Sequence, residues 1–479
     1  MTAKDRRDDT PVLVVDLDGT LIRSDTLFET FWGGLSDDWR TLPIALRGLF
    51  RGRAALKRDL ADLAGIEPEH LPYNAAVLDH IRDWRADDGR VVLATAADQS
   101  VADRVAAHLG VFDEVLGSDG TTNLKGARKA DMLARRFGEA GFAYIGDSIA
   151  DLPVWQRAGR AITVGGTPGL QARVAALGKP CESLDTESAG WAYLAQLRPH
   201  QWLKNILVFV PCVAGHAGSP AILLQTILAF IAFSLVSSSG YVFNDLMDLR
   251  ADRAHPRKSR RPLASGRVPI AHGTAMVPVL LLAGLGLAAL GNLALLAVIA
   301  TYFVLTMLYS LALKRIAVAD ICTLAGLYTM RIIAGGLAAG LELSVWLLAF
   351  SMFFFVSLAA IKRQAELVDL ASHGIGSVRR RGYRVDDLAV VGQVATASGY
   401  VSVMVLALYL NAPAVQVLYT TPWLLWGICL VVLYWLTRIA LVTSRGQMDD
   451  DPIVFAVRDR TSQICFVLLG AFILGAALL

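Results

Sequence analysis

The chain has 479 residues, of which 54% are hydrophobic and 18% are charged, and its formal net charge is +3. Soluble proteins of ordinary composition are less apolar, so part of the chain is expected to lie in a membrane. The small net charge gives no reason to expect a nucleic-acid partner, and the five scattered cysteines lack metal-site spacing.

The hydrophobic residues are unevenly distributed. Residues 1–180 are charged and suggest a globular domain, residues 181–197 a linker, and residues 198–479 a membrane domain rich in apolar runs. The N-terminal sequence MTAKDRRDDT lacks the apolar region of a signal peptide, so the first domain is expected to stay in the cytoplasm.

Polar side chains follow three short apolar runs of the first domain. The runs at residues 11–15, 91–93 and 142–145 have the bulky side chains of buried parallel strands. Because open α/β sheets bind ligands at the carboxyl ends of their strands, the residues that follow are candidate site residues. They are Asp16, Asp18, Thr95, Asp147 and Asp151, with Lys125 just before a helix-like segment that begins near Ala127.

This succession of DxDGT, a threonine, a lysine and GDSxxD resembles the haloacid dehalogenase superfamily of phosphatases. The resemblance implies an α/β Rossmann-like domain in which Asp16 attacks phosphorus and Asp18 is the general acid and base. It also implies that Thr95 and Lys125 hold the phosphate and that carboxylates bind Mg²⁺. The implied metal set is Asp16, Asp18, Asp147 and Asp151.

The sequence of this domain also bears on its cap, its phosphate-binding lysine and whether it is catalytically active. Residues from about 25 to 83 have helical patterns and are expected to form the helical cap that the resemblance implies. Lys129 is an alternative to Lys125, which is preferred because it stands where a loop should enter the crevice. A catalytically inactive relative, kept as a scaffold, is the alternative for the whole domain.

Nine apolar runs of the second half have about the length of a membrane-spanning helix. They lie near residues 203–217, 220–247, 273–291, 293–312, 318–339, 344–362, 388–411, 422–443 and 461–479.

Basic residues are confined to alternate loops between these runs. The loops after the second, fourth, sixth and eighth runs are basic, whereas those near residues 216, 292, 341 and 415 contain no Lys or Arg. This asymmetry predicts a multi-pass protein of the cytoplasmic membrane with its C-terminus outside. The N-terminal domain and both candidate sites are then on the cytoplasmic side.

The stretch from Asn244 to Gly266 combines acidic and basic residues directly after an apolar run. If the helix continues, Asn244, Asp248 and Asp252 recur every four residues on one face, with Asp245 just off it. Hard oxygen ligands beside cations favour a magnesium-bound diphosphate at a membrane surface. A solvated basic loop is the alternative. The basic candidates on the loop that follows are Arg257, Lys258 and Arg261.

Further candidates are charged residues in or beside the apolar runs, because burying a charge in a bilayer is costly. Purely structural roles remain open for them, such as headgroup anchoring, pairing with neighbours or an i, i+4 contact between Lys362 and Glu366. The set is Arg198, Lys204, Asp320, Arg331, Lys362, Arg363, Glu366 and Arg458.

Residues 198–479 resemble the UbiA superfamily of intramembrane transferases, in NDxxDxxxD followed by RPxASG. Tyr309, Lys314 and Asp320 match its further motifs. The resemblance implies an all-α bundle of about nine transmembrane helices that binds Mg²⁺ through Asn244, Asp245, Asp248 and Asp252. Most members carry a second DxxxD motif, which is incomplete here because Leu324 stands at its second position.

Three segments are most similar to the polyprenyl-phosphate phosphoribosyltransferases, namely RPxQWxKN, KRxxEL at residues 362–367 and DPxxxxxRDR. The resemblance implies transfer of 5-phosphoribose from phosphoribosyl diphosphate to a decaprenyl-like polyprenyl phosphate, with release of diphosphate. The attached phosphatase would then remove the 5-phosphate, giving polyprenyl-phosphoryl-ribose for cell-envelope glycans. The oligomeric state stays open, a homo-oligomer included.

Two other functions are compatible with the sequence. One is a UbiA prenyltransferase that moves a prenyl group from prenyl diphosphate to an aromatic or other acceptor, with a separate phosphatase activity. The other is a transporter or lipid-binding membrane protein with a regulatory cytoplasmic domain.

Overall fold

The computed structural model describes residues 11–119, 122–184, 190–373, 382–448 and 451–479. The chain forms two compact units. The first contains Met1–Leu197 and Tyr241–Pro278, and the second contains Arg198–Gly240 and Val279–Leu479.

A parallel six-stranded sheet forms the centre of the first unit. Its strands lie in the order β3-β2-β1-β4-β5-β6, so β1 is flanked on both sides. All four residues of β1 are buried because both faces of the sheet are covered. This arrangement confirms the predicted α/β fold. The strands are β1 Val12–Val15, β2 Arg90–Asp98, β3 Glu114–Ser118, β4 Phe142–Gly146, β5 Arg160–Val164 and β6 Cys181–Leu184.

Helices pack on both faces of the sheet. Side chains of a strand alternate between faces, so Leu13 joins one apolar core and Val14 the other. The helices of this unit outside the long apolar runs are Thr26–Asp37, Thr41–Arg51, Arg53–Leu63, Ala75–Ala86, Gln99–Leu109, Ala127–Phe137, Leu152–Arg157, Pro168–Ala175, Gly190–Gln196 and Leu249–Arg253, with 3₁₀ turns at Pro68–His70, Ile149–Asp151 and Lys258–Arg260.

Two segments near predicted boundaries form regular elements. Residues 181–184, placed in the linker, form the edge strand β6, whose sequence CESL lacks the run of bulky apolar residues typical of a buried strand. Residues 75–86, within or next to the expected cap region, form a helix whose Val77 and Ile81 pack in the core beneath the sheet. The three helices between Thr26 and Leu63 are called the cap helices below.

Among the described residues, eight helices are long and apolar enough to cross a membrane, close to the nine runs predicted. The protein is a multi-pass membrane protein. The eight helices are Pro220–Met247, Ile270–Gly291, Leu293–Leu311, Ala319–Ala339, Val345–Ser372, Val385–Leu410, Pro422–Ser444 and Arg460–Leu478. Shorter elements are Val210–Ala214, Leu313–Arg315, Pro413–Gln416 and Pro452–Arg458.

The first predicted run is not one long α-helix. It forms an unusually long 3₁₀ helix, Pro199–Phe209, followed by the short α-helix Val210–Ala214. Eleven 3₁₀ residues at about 2.0 Å each and five α-helical residues at about 1.5 Å each extend about 30 Å. That length is close to the thickness of the hydrocarbon core of a bilayer, about 30 Å.

Candidate active sites

Three carboxylates converge at the carboxyl ends of the two central strands. Asp16 follows β1, while Asp147 and Asp151 follow β4, and each offers an oxygen within 4.8 Å of the others. Gly19 makes this approach possible, since its φ is +75° and a Cβ there would lie 2.3 Å from Asp147 Oδ2. This set of hard oxygen donors fits a divalent cation such as Mg²⁺.

Lys129, and not the preferred Lys125, lies against this acidic cluster. Its side chain is 2% exposed, and its Nζ donates to Asp16 Oδ1 at 2.9 Å and to Tyr144 Oη at 3.0 Å. The Tyr144 hydroxyl in turn donates to Asp151 at 2.8 Å. Lys125 is exposed and lines the same cavity. Helix Ala127–Phe137 turns Lys129 inward, a direction that spacing along the sequence did not reveal.

The Asp18 carboxylate is outside the converging trio and faces the first cap helix. It accepts hydrogen bonds from the Thr26 backbone N–H at 2.8 Å and from the Thr26 hydroxyl at 3.2 Å. Burial, followed by repulsion from the nearby Asp25 carboxylate, raises the pKa of Asp18 to about 7. A carboxyl group with this pKa is well suited to give and take protons near neutral pH.

Burial also raises the pKa values of Asp16 and Asp147 in the acidic cluster. The pKa of Asp147 rises to about 8, first through burial and then through repulsion by Asp16 and Asp151. Burial raises the pKa of Asp16 as well, opposed by the positive charge of Lys129. Like charges are held together in a poorly solvated site, which a bound cation would relieve.

A cavity of about 510 Å³ opens at these residues. Its lining includes Asp16, Asp18, Lys57, Lys125, Lys129, Asp147 and Asp151. Thr95 is not among its lining residues: it is fully buried, and its hydroxyl accepts the Ala97 backbone N–H at 3.0 Å. Lys57 of the cap was not predicted, because a single lysine on a charged helix carries no distinguishing pattern.

The segment that follows helix Pro220–Met247 packs against the cap within the first unit. Arg253 forms a buried ion pair with Glu29, with nitrogen–oxygen distances of 2.7 and 2.8 Å and side chains 5% exposed. Arg253 Nε also donates to the Ala264 carbonyl at 3.0 Å. Trp32 Nε1 donates to Thr274 Oγ1 at 2.9 Å. These buried polar contacts join the cap to residues 253–274.

The predicted aspartate motif is nearly helical, with a break at Asp248. The α-helix ends at Met247 and resumes at Leu249–Arg253, and Asp252 N still donates to Asp248 O at 2.8 Å. Asn244 Nδ2 donates to Asp248 Oδ2 at 3.0 Å. The motif therefore presents amide and carboxylate oxygens of the type that Mg²⁺ binds.

Arg261 engages the other two acids of this motif. Its Nη1 lies 2.5 Å from Asp252 and 3.2 Å from Asp245, both of which are buried. Gln196 donates to Asp245 at 2.9 Å. Arg257 and Lys258, the remaining basic candidates, are exposed. In contrast to the N-terminal cluster, the three aspartates of the motif do not converge as one group within the described residues.

In the second unit, two lysines share one carboxylate. Lys204 Nζ lies 2.6 Å and Lys362 Nζ 3.4 Å from Asp451 Oδ2. Burial opposes ionisation of Asp451, but these two cations outweigh it and lower its pKa to about 2. Glu366, for which a contact with Lys362 was one structural alternative, forms an ion pair with Arg363. Asp451 is the first residue of the DPxxxxxRDR segment.

Arg363 connects Asp320 with Glu366 in the interior. It is fully buried, and its Nε lies 2.7 Å from Asp320 Oδ2, while Tyr309 donates to Asp320 Oδ1 at 2.7 Å. A buried guanidinium between two carboxylates is strongly held. Because Arg363 and Asp320 are not exposed to solvent, this arrangement favours a role in positioning neighbouring side chains.

Arg331 has a separate set of partners. It donates to Asn205 Oδ1 at 2.8 Å and to Tyr302 Oη at 3.0 Å, and it stacks over Tyr328 at 5.3 Å. Asp320 and Arg331 therefore pair with different neighbours, as the structural alternative for these residues expected. The other three candidates are more peripheral, with Arg198 and Lys314 half-buried and Arg458 exposed.

Comparisons with known proteins match two parts of the chain to two different families. Residues 205–460 match the model of the UbiA prenyltransferase family, and residues 13–156 match that of haloacid dehalogenase-like hydrolases. Protein y4nM of Sinorhizobium fredii is 40% identical over 469 residues, covering 97% of this chain and 90% of that protein.

Two further similarities concern the membrane half. The decaprenyl-phosphate phosphoribosyltransferase of Mycobacterium tuberculosis is 40% identical over 179 residues, covering 36% of this chain and 58% of that protein. A structure of a UbiA homologue from Archaeoglobus fulgidus, bound to GPP and Mg²⁺, has a TM-score of 0.45 and 16% identity, covering 59% of this chain and 96% of that one.

Proposed function

Because the chain belongs to the UbiA prenyltransferase family and carries a haloacid dehalogenase-like hydrolase domain, we propose that it is a bifunctional membrane enzyme that makes polyprenyl-phosphoryl-ribose. In the first step, 5-phosphoribose passes from phosphoribosyl diphosphate to a polyprenyl phosphate, and diphosphate leaves. In the second step, the N-terminal domain hydrolyses the 5-phosphate. The product would serve as a sugar donor for cell-envelope glycans.

The observation that carries this proposal is the union of a phosphatase-type site with the aspartate motif in one compact unit. A lipid-linked 5-phosphoribose has a phosphate to remove, whereas a prenylated aromatic has none. The relative named decaprenyl-phosphate phosphoribosyltransferase, 40% identical over 179 residues, supports the same donor and acceptor. Tethering raises the effective concentration of the second activity without any new contact.

For the phosphatase step, the N-terminal cluster supplies a nucleophile and a proton carrier. An Asp16 oxygen bonds to phosphorus as the bond to the ribose 5-oxygen breaks, and Asp18 gives that oxygen its proton. Water then hydrolyses the aspartyl phosphate, returning a proton to Asp18. Lys129 holds Asp16 in place, and Mg²⁺ bound by Asp16, Asp147 and Asp151 would offset repulsion between carboxylate and phosphate.

For the transfer step, an oxygen of the lipid phosphate bonds to ribose carbon 1 as the bond to diphosphate breaks. The lipid phosphate is already ionised, so no general base is needed and charge stabilisation suffices. Asn244, Asp248 and Asp252 would hold Mg²⁺ on the diphosphate. Basic side chains that would bind the phosphates of donor and acceptor are Arg198, Lys204, Arg257, Lys258, Arg261, Lys314, Lys362 and Arg458.

The sidedness of the membrane domain is part of the same proposal. The basic loops are assigned to the cytoplasm, together with the N-terminal domain and both active sites. This assignment requires residues 199–214 to cross the membrane, which their length of about 30 Å permits.

The test is incubation of purified protein with ribose-labelled phosphoribosyl diphosphate and polyprenyl phosphate, followed by mass spectrometry of the lipid. We expect label in the lipid, nearly complete loss of transfer in Asp248→Ala, and accumulation of the 5-phosphorylated lipid in Asp16→Asn. The matched control is Asp62→Ala, an exposed aspartate of the cap. Absence of ribose label from the lipid would refute the transfer step.

Two other outcomes would support a different function or a different substrate. Transfer of label from a prenyl diphosphate to an aromatic acceptor would make the protein a prenyltransferase with a separate phosphatase. An Asp16→Asn variant that yields the wild-type product would assign the phosphatase another substrate.

A further inference from the structure

The cavity at Asp16 is bounded by part of the segment that leads into a membrane helix. Besides the acidic residues and lysines of the candidate site, its lining includes Gly266, Arg267, Pro269, Ile270 and Ala271. Ile270 is also the first residue of Ile270–Gly291, one of the helices apolar enough to cross a membrane. The cavity is therefore lined in part by the first residues of an apolar helix of membrane-spanning length.

Close packing holds this wall in place. Gly266 has a φ of +72°, and a Cβ there would lie 2.6 Å from Arg23 Cβ and 2.7 Å from Arg23 O. The glycine thus lets the segment approach the loop after β1 more closely than any other residue could. Tyr193 Oη also contacts His272 Nδ1 at 2.6 Å. These contacts make the segment a built part of the cavity.

Arg267 presents a positive charge in this wall. Its Nε donates to Ser265 Oγ at 3.2 Å, and its Nη2 donates to the Arg260 carbonyl at 2.5 Å. Both acceptors are neutral, so they orient the guanidinium without cancelling its charge. No carboxylate forms an ion pair with Arg267 in the part of the chain that the structure describes. An oriented guanidinium of this kind suits a phosphate oxygen.

We propose that Arg267 is a specificity-determining residue of the phosphatase, which binds a second anionic group of the substrate while the phosphomonoester lies at Asp16. On the proposed function, on which this inference rests, that second group is the phosphodiester joining ribose to its lipid. The cavity of about 510 Å³ falls within the usual range of small-molecule sites, about 300–1,000 Å³. The phosphatase then favours a membrane-linked substrate with two phosphates over a soluble sugar phosphate.

The experiment uses full-length protein in detergent, without phosphoribosyl diphosphate, and measures phosphate release from two supplied probes. One is ribose 5-phosphate, and the other is a synthetic farnesyl-phosphoryl-ribose 5-phosphate. The readout is the ratio of kcat/KM for the lipid-linked probe to that for ribose 5-phosphate. Because both probes are supplied directly, the result does not depend on whether the protein carries out the transfer step.

We expect wild type to favour the lipid-linked probe and Arg267→Ala to lower the ratio about tenfold or more, because a hydrogen bond to a charged phosphate is lost. Arg267→Lys should lower it less, because the charge remains. Arg260→Ala removes an equal charge from the same loop but keeps the carbonyl that orients Arg267, so its ratio should match wild type.

Three results would overturn the inference. A wild-type ratio near one would mean that the second anion is not bound. An unchanged ratio in Arg267→Ala, or an equal fall in Arg260→Ala, would remove the role of this residue while leaving the two-step function intact. Hydrolysis of p-nitrophenyl phosphate but of neither ribose probe would instead refute the proposed function itself.

Discussion

Replacing Lys129 by methionine tests which lysine serves the phosphatase site. Lys129 is 2% exposed, and its Nζ lies 2.9 Å from Asp16 and 4.0 Å from Asp151. Methionine has a similar volume but no charge, so the variant leaves these buried carboxylates without their cation. Lys125→Met is the matched comparison, since Lys125 lines the same cavity but is exposed.

The expected effects differ in size and in kind. Breaking a buried ion pair on one side costs about 3–5 kcal/mol of stability, whereas exposed positions usually change stability by less than about 0.5 kcal/mol. Loss of a preorganised charge-stabilising group lowers kcat by about 10²–10³-fold. Lys129→Met should therefore lose both stability and kcat, while Lys125→Met should mainly raise KM.

The assays are denaturant unfolding of the full-length protein in detergent and phosphate release from p-nitrophenyl phosphate. Added Mg²⁺ should recover part of the stability of Lys129→Met, because a bound cation replaces some of the lost positive charge. The reasoning fails if Lys129→Met keeps wild-type kcat and stability, or if Lys125→Met shows the larger loss of both.

Two further predictions concern the first unit. Arg253→Met and Glu29→Gln should each destabilise the protein by about 3–5 kcal/mol, because each single change leaves a buried partner unpaired. The double variant should lose less stability than the sum of the two single variants. Additive losses in denaturant unfolding would contradict this prediction. Chelation of Mg²⁺ should abolish phosphate release and lower Tm. Asp147→Asn should lose the Mg²⁺-dependent rise in Tm. In chelator it should be at least as stable as wild type, because asparagine avoids the cost of either protonating this carboxyl or holding its charge beside Asp16 and Asp151. An undiminished rise in Tm would exclude Asp147 from the metal site.

Much of the architecture could be predicted because its signals are local. The apolar runs before Asp16 and Asp147 form strands β1 and β4, and the long apolar runs form helices, since burial of contiguous apolar residues depends little on distant partners. The acidic cluster could also be located from local sequence, because its residues follow strands β1 and β4 within a few positions. Edge strand β6 was missed because a polar, half-exposed strand carries no such signal.

Partners of charged residues could not be predicted in this way. Asp451 pairs with Lys204, which is 247 positions away, and nothing in the local sequence of either residue indicates the other. The same holds for Arg253 with Glu29 and for Arg363 with Asp320, because electrostatic pairing is set by the packing of whole helices.

By itself, the sequence determined the α/β fold class of the N-terminal part, the membrane character and the acidic motifs, because periodicity and strand-end chemistry are properties of neighbouring residues. Only the tertiary structure decided that Lys129 faces Asp16, that Asp18 faces the cap and that residues between 266 and 271 line the phosphatase cavity. Those choices depend on which way each helix turns its side chains and on which distant segments pack together. A linear pattern does not contain that information.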